Sequence, residues 1–173
     1  MLNRFTKFQI ATAIAVLFHT IGLVGLLWFD KAFFLAATPF NLMLSFALLI
    51  WTQQEKKLHF IIFFTACFLV GVTVEIIGIN TGFLFGDYTY GDVLGYKFQK
   101  VPLLIGINWF IIIYCSGISI HTLLMKAINR VASYTGKTPA TLKALSVIVD
   151  GATLAVFFDW LMEPVAVKLG YWV

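Results

Sequence analysis

Five long apolar runs dominate the sequence and leave little polar chain between them. They cover about residues 8 to 29, 32 to 51, 58 to 79, 101 to 124 and 141 to 162. Each run is close to the length of about 20 residues that a helix needs to cross a bilayer. The chain is 61% hydrophobic and only 12% charged, whereas soluble domains carry about 25% charged residues. We therefore predict an all-α integral membrane bundle of about five transmembrane helices, forming a single domain over residues 1–173 with one long aromatic, glycine-rich loop.

The basic residues stand in short clusters between these runs, as orientation signals do. We therefore exclude nucleic-acid binding, despite a net charge of +4. The first run lacks a small-residue cleavage site and is expected to stay as an anchor. The basic residues divide unequally between the two predicted sides of the membrane. Eight lie on one side: Arg4, Lys7, Lys56, Lys57, Lys126, Arg130, Lys137 and Lys143. Four lie on the other: Lys31, Lys97, Lys100 and Lys168. This excess predicts a multi-pass protein of the cell membrane with a cytoplasmic N-terminus and the segment 80 to 100 outside.

Familiar catalytic and metal-binding motifs do not occur. Cys67 and Cys115 lie inside apolar runs without a C-x-x-C or Cys/His spacing, so we predict buried thiols and no metal site. The sequence has no Walker loop, Rossmann glycine fingerprint, H-E-x-x-H motif or nucleophile elbow.

One polar stretch, Glu75 to Tyr90, interrupts the apolar pattern near the end of the third run. An ionisable group at membrane depth is costly, so Glu75 marks a candidate functional site. Glycine packing between helices is an alternative, because Gly78, Gly82 and Gly86 recur every four residues. That alternative accounts for neither Glu75 nor Asp87. The long loop that follows has the length of a lid or binding loop, although an interfacial aromatic belt would use the same residues.

Polar groups of the other runs can reach the same end of the bundle, because alternating spans bring the ends of runs three and five to the start of run four. Asp159 and Glu163 share a helical face, whereas Asp150 lies roughly 13 Å deeper. Pro164 is expected to end that helix. We expect a pocket with two sets of residues. The catalytic candidates are Glu75, Asp87, Asp159 and Glu163, and the substrate-binding candidates are His19, Asn41, Asn80, Thr81, Phe83, Phe85, Tyr88, Tyr90, Asn108 and Trp109.

Structural explanations compete for several of these residues. Glu163 could simply lie at the water interface, and His19 could be a hydrogen-bonded core residue. Asn108 and Trp109 could form a helix contact and a belt tryptophan. If the carboxyls do cluster, desolvation and like charge disfavour ionisation, so at least one should hold its proton near neutral pH and act as a general acid. A second carboxylate can orient water, and aromatic faces can stabilise a cation.

Several segments resemble the membrane-bound carotenoid biosynthesis family, which includes carotenoid 1,2-hydratases of the bacterioruberin, myxol and saproxanthin pathways. The resemblance covers about residues 60 to 172. It implies a cofactor-independent hydro-lyase that adds water across the terminal C1,C2 double bond of an acyclic carotenoid. The matching segments are the Glu75–Tyr90 block with Thr81-Gly82-Phe83 and Phe85-Gly86-Asp87-Tyr88, then Leu94-Gly95, Val101-Pro102, Asn108-Trp109 and the run from Asp159 to Glu163-Pro164.

Roles follow from the chemistry of that reaction and are hypotheses. Glu75 or Asp159 would protonate C2, and another of Asp159, Glu163 and Asp87 would hold the water that attacks the cation at C1. Tyr88, Tyr90, Phe83 and Phe85 would form cation-facing walls. Two departures from the family are expected to matter: Leu84 replaces a common proline, and relatives continue past the equivalent of Val173, through a segment on which a complete pocket could depend.

Two other activities share these residues. A carotenoid end-group cyclase would begin with the same cation but add no water, and a proton-coupled transporter would also use carboxylates in a small bundle. A purely structural subunit would need no carboxylate at all. The expected partners are a lipid-soluble carotenoid and the bilayer, while oligomerisation and contact with other carotenoid enzymes are left open.

Overall fold

A computed structural model describes residues 5–55, 57–135 and 139–173, and most of this chain is helical. A two-stranded antiparallel hairpin, β1 (Lys97–Phe98) and β2 (Val101–Pro102), interrupts the helices. The all-α prediction is confirmed. The helices are α1 (Lys7–Trp28), α2 (Lys31–Ala36), α3 (Thr38–Thr52), α4 (Leu58–Thr81), α5 (Leu104–Thr135) and α6 (Ala140–Leu169).

Four of these helices are long and apolar enough to cross a membrane: α1, α4, the Leu104–Ile128 part of α5, and α6. The chain is therefore a multi-pass membrane protein. Arg4, Lys56 and Lys137, which contribute to the orientation prediction, lie outside the described residues.

The second apolar run is divided into two helices. Asp30 caps α2 by accepting hydrogen bonds from the N–H groups of Ala32 and Phe33, at 3.0 and 3.2 Å. The division comes before Pro39, the second residue of α3, because proline has no N–H to continue the hydrogen-bond ladder and its ring crowds the preceding turn. At 15 residues, α3 extends about 22 Å, which is less than the hydrocarbon thickness of about 30 Å.

Two helix ends show how local sequence acts. A left-handed glycine ends α4: Gly82 has a φ of +64° and donates its N–H to the carbonyl of Gly78 at 2.8 Å. The predicted helix end at Pro164 is wrong, because α6 continues to Leu169. Proline fixes a φ that suits a helix, and membrane helices tolerate the lost hydrogen bond.

The connection between α4 and α5 is more ordered than a simple loop. Its hairpin turns at Gln99 and Lys100, both with positive φ, as tight two-residue turns require. Residues 89 to 91 also pair with residues 171 to 173. Thr89 exchanges two hydrogen bonds with Val173, at 2.7 and 3.0 Å, and the Gly91 N–H donates to the Tyr171 carbonyl at 2.9 Å. The residues that follow α6 therefore lie beside this loop, as alternating spans predict.

The chain forms two compact units, Met1–Ile111 with Val167–Val173, and Ile112–Ala166. The first unit has an aromatic and aliphatic core. One cluster consists of Tyr90, Leu94, Val101 and Ile105, with Val101 fully buried. Phe110 is also fully buried, and its ring lies between 4.9 and 6.1 Å from those of Phe46, Phe60, Phe63 and Phe64. Cys67 is buried here, as predicted.

In the second unit, α5 and α6 approach closely at small residues. A side chain on Gly151 would lie 3.4 Å from the Gly117 Cα, and Ser116 and Ala155 are buried. Small residues allow such close approach between membrane helices. The prediction that Cys115 is buried is wrong, because this thiol is exposed on α5. An apolar run cannot indicate which face of its helix points outward.

Candidate active site

Glu75 is a buried carboxyl at the centre of a hydrogen-bond network in the first unit. Its side chain is only 7% exposed. The Tyr88 and Tyr90 hydroxyls both donate to Oε2, at 2.5 and 2.9 Å. The Trp109 indole N–H donates to Oε1 at 3.0 Å. A helix, a loop and a second helix therefore converge on one carboxyl.

Two glycines on α4 make room for these partners. A Cβ on Gly71, one turn before Glu75, would lie 2.8 Å from Trp109. A Cβ on Gly78, one turn after it, would lie 2.8 Å from the Phe85 ring and 3.1 Å from the Tyr88 hydroxyl oxygen. Gly78 thus admits aromatic rings of the loop, and Gly82 ends the helix. This arrangement replaces the interpretation of the glycines as a helix-packing motif.

The loop that carries the tyrosines is fixed on two sides. The Trp172 ring lies 5.6 Å from the Tyr90 ring, beside the paired residues 89–91 and 171–173. On the other side, the Lys97 ammonium donates to the Tyr90 carbonyl at 2.8 Å and to an Asp92 carboxylate oxygen at 2.6 Å. The hydrogen bond and charge of Lys97 hold the pKa of Asp92 below its usual range. Tyr90 is therefore held through its backbone as well as its ring.

Helix α3 contacts residues of this loop and of the segment that follows α6. Thr38 and Tyr171 share a hydroxyl–hydroxyl hydrogen bond of 2.6 Å. Leu42 packs against the cluster that contains Tyr90. Between them, Asn41 has a buried Oδ1 for which no hydrogen-bond partner is found within the described part of the chain.

The network gives the two oxygens of Glu75 different properties. An indole N–H can only donate, whereas a tyrosine hydroxyl both donates and accepts. A proton on this carboxyl would therefore lie on Oε2, where Tyr88 or Tyr90 could accept it. Tyr88 is partly exposed and Tyr90 is 8% exposed. The site can hold a proton, pass it on and stabilise positive charge.

Several predicted site residues make local contacts instead. His19 is exposed, with its Nδ1 2.8 Å from the Ala15 carbonyl oxygen. The Asn80 amide and the Thr81 hydroxyl donate to carbonyls one turn earlier in α4, at 2.8 and 2.7 Å. Asp87 is exposed, and its Oδ1 would lie 2.7 Å from a Cβ on Gly82. These four are not among the hydrogen-bond partners described for Glu75.

The remaining candidates divide by exposure and by unit. Phe85 packs against Tyr88 with ring centroids 6.3 Å apart, while Phe83 is 86% exposed. Asn108 is partly buried next to Trp109. Asp159 is partly buried and Glu163 exposed, and both belong to the second unit. Their convergence with Glu75 stays a prediction.

No metal site is found among the described residues, since they contain no suitable group of three or more His, Cys, Asp or Glu side chains. Open apolar grooves occur along α1. One, of about 700 Å³, is lined by Phe8, Gln9, Thr12, Ala13, Val16, Leu17 and Thr20. The groove lies on one helix and does not include the network around Glu75.

Sequence reasoning missed part of this network. It proposed Tyr88 and Tyr90 as walls, but both donate to the carboxyl. It gave no role to Gly71 or Lys97. A small residue one turn before a buried carboxylate was a usable signal for Gly71, whereas nothing local connects Lys97 to the Tyr90 carbonyl.

Comparison with known proteins gives consistent results. The sequence profile of a family described as carotenoid biosynthesis protein matches residues 31–173, which include Glu75, Tyr88, Tyr90 and Trp109. Bisanhydrobacterioruberin hydratase of Haloarcula japonica is 27% identical over 183 aligned residues, covering 99% of this chain and 55% of the relative. The chain thus spans about half the length of that curated relative. No solved structure shows significant similarity to the chain.

Proposed function

Because this chain belongs to the family of carotenoid biosynthesis proteins, we propose that it hydrates the end group of an acyclic carotenoid. Water would add across the terminal C1,C2 double bond and leave a tertiary hydroxyl at C1. The similar protein of Haloarcula japonica is named a hydratase, which supports this reaction class. The observation that carries the proposal is the buried Glu75 carboxyl with two tyrosine hydroxyls on one oxygen.

The first step is transfer of a proton to C2. Trp109 occupies Oε1, so the proton leaves from Oε2 through a tyrosine that accepts from the carboxyl while it donates onward. Tyr88 is the better outlet because it is partly exposed, whereas Tyr90 is buried. The transfer forms the C2–H bond and leaves a tertiary cation at C1.

The surroundings of the relay favour that cation. Once the proton has left, the Glu75 carboxylate attracts the positive charge, because this carboxylate is buried. Aromatic faces add to this attraction. Phe85, Tyr88 and Tyr90 lie together: the ring centroids of Phe85 and Tyr88 are 6.3 Å apart, and those of Tyr88 and Tyr90 are 5.7 Å apart. These three rings, with the exposed Phe83, are the proposed cation-facing walls.

Water then forms the C1–O bond and releases one proton, which returns through the tyrosines to Glu75. One molecule of water is added and the carboxyl is regenerated, so the cycle needs no other reactant. Asp159, Glu163 and Asp87 were predicted to hold this water. For Asp159 and Glu163 that role stays a prediction for residues of the second unit, and Asp87 packs over Gly82.

Product analysis tests the proposal. The full chain is expressed in cells that accumulate lycopene, and the pigments are separated by chromatography and weighed by mass spectrometry. We expect a more polar pigment that is heavier by one water and absent from cells with an empty vector. A product of unchanged mass would indicate the cyclase instead. If the protein reaches the membrane but changes none of several acyclic carotenoids, the proposed function is contradicted.

A further inference from the structure

A buried acceptor on α3 takes no part in the relay around Glu75. Oδ1 of Asn41 is buried and, within the described part of the chain, has no hydrogen-bond partner. The backbone of the same residue is satisfied: its N–H donates to Ala37 at 3.1 Å, and its carbonyl accepts from the Ser45 hydroxyl at 2.9 Å. Leaving a buried acceptor without a donor is destabilising, because the acceptor loses its hydrogen bonds to water and gains none in return. A donor from outside the chain would offset this loss.

Asn41 lies among residues of α3 that contact the loop and core of the first unit. Thr38, one turn earlier, bonds to the Tyr171 hydroxyl, and Leu42 packs against the cluster that contains Tyr90. Phe46, one turn after Leu42, lies 5.2 Å from Phe64 and 5.9 Å from Phe110. Residues three apart share a helical face, so Asn41 lies on the same face of α3 as Thr38, one turn from the Tyr171 contact.

We propose that Asn41 Oδ1 accepts a hydrogen bond from the water that attacks C1, which makes Asn41 a catalytic residue. This inference rests on the hydration proposed above and assigns the group that binds the second substrate. The water needs one O–H held and one lone pair free to reach the cation. An amide oxygen suits this task because it accepts a hydrogen bond without taking the proton.

Glu75 with its tyrosines and Asn41 take part in different bond changes of the reaction. The Glu75–tyrosine relay supplies the proton that forms the C2–H bond. The water held by Asn41 forms the C1–O bond and breaks one O–H bond, and that proton returns to Glu75. Without the held water, the cation would still form, and it would then lose a proton or close a ring to give products of unchanged mass.

This division predicts a change in product ratio. In Asn41→Leu, which has a similar volume without the acceptor, hydrated product should fall at least about tenfold relative to products of unchanged mass, as expected for one lost hydrogen bond of ordinary to high strength. Asn41→Gln keeps an amide oxygen and should restore part of the ratio. Thr52→Val is the matched control, because it removes a hydroxyl of α3 that bonds within the helix, to the carbonyls of Leu48 and Leu49. Its ratio should equal that of the wild type.

The ratio separates a water-holding role from a structural one, since a damaged fold would reduce both product classes together. Each variant is compared at equal membrane content, and Asn41→Ala replaces Asn41→Leu if the leucine variant does not accumulate. A ratio within about twofold of the wild type, well below the effect of one such hydrogen bond, overturns the role of Asn41. Parallel loss of all products from a well-folded variant also overturns it. If the wild type forms no hydrated pigment, hydration itself fails, and the wild-type sample alone reveals that outcome.

Discussion

The two tyrosines beside Glu75 differ in exposure, and this difference gives them different expected importance. Tyr88 is partly exposed, whereas Tyr90 is buried and touches Trp172. Tyr88→Phe should therefore remove the proton outlet and lower the rate of hydration by about a hundredfold or more, a usual size for general acid catalysis. Tyr90→Phe should have a smaller effect. Rates of pigment formation at equal membrane content provide the measurement, and a larger loss in Tyr90→Phe would contradict the assignment of Tyr88 as the outlet.

Asp92 gives a pH-dependent prediction outside the membrane spans. Lys97 lowers the pKa of Asp92 in the folded protein. The stabilisation from this pair is therefore present above the usual carboxyl pKa and is lost as pH falls through the lowered value. In thermal unfolding in detergent, the Tm of the wild type should exceed the Tm of Asp92→Asn near neutral pH. The two Tm values should converge in acid. A constant difference across this range would show that ionisation of Asp92 does not support the loop.

At the scale of elements, the packing of α4 beside Glu75 requires a residue without a side chain at position 78. In Gly78→Ala the new methyl group would meet Phe85 at 2.8 Å and the Tyr88 hydroxyl oxygen at 3.1 Å. Overpacking of this kind costs about 1–3 kcal/mol, and it should move Tyr88 away from Glu75 and reduce hydration. Gly22→Ala on α1 is the control, because nothing lies within 4 Å of its new methyl group. Equal activity in the two variants would contradict the spacing role of Gly78.

The helices were largely predictable from sequence, while the contacts around Glu75 were not. Apolar length alone indicates a span, and composition suffices for α1, α4, α5 and α6. The division before Pro39 and the continuation through Pro164 were missed, because proline breaks one helix and is accommodated in another according to its surroundings. Trp109 stands 34 residues after Glu75 in the chain. Its contact with Oε1 depends on how α4 and α5 pack, which no local pattern encodes.

At the scale of the whole molecule, orientation in the membrane is a separate prediction. The excess of basic residues predicts a cytoplasmic N-terminus and an outside loop between α4 and α5, a prediction that counts the second apolar run, now α2 and α3, as one crossing. Tyr96, 77% exposed in that loop, and Glu55, exposed between α3 and α4, are suitable positions for single cysteines. In intact cells, a membrane-impermeant maleimide should label Tyr96→Cys but not Glu55→Cys. The reverse pattern would invert the predicted topology.

We propose above that the buried Glu75 carboxyl drives addition of water to a carotenoid end group. The most direct test supplies wild-type and Glu75→Gln membranes with an acyclic carotenoid in water enriched in ¹⁸O. Wild type should form a pigment heavier by one labelled water, and Glu75→Gln, which keeps the side-chain size but cannot release a carboxyl proton, should form essentially none. Incorporation of label by the glutamine variant at the wild-type rate would contradict this mechanism.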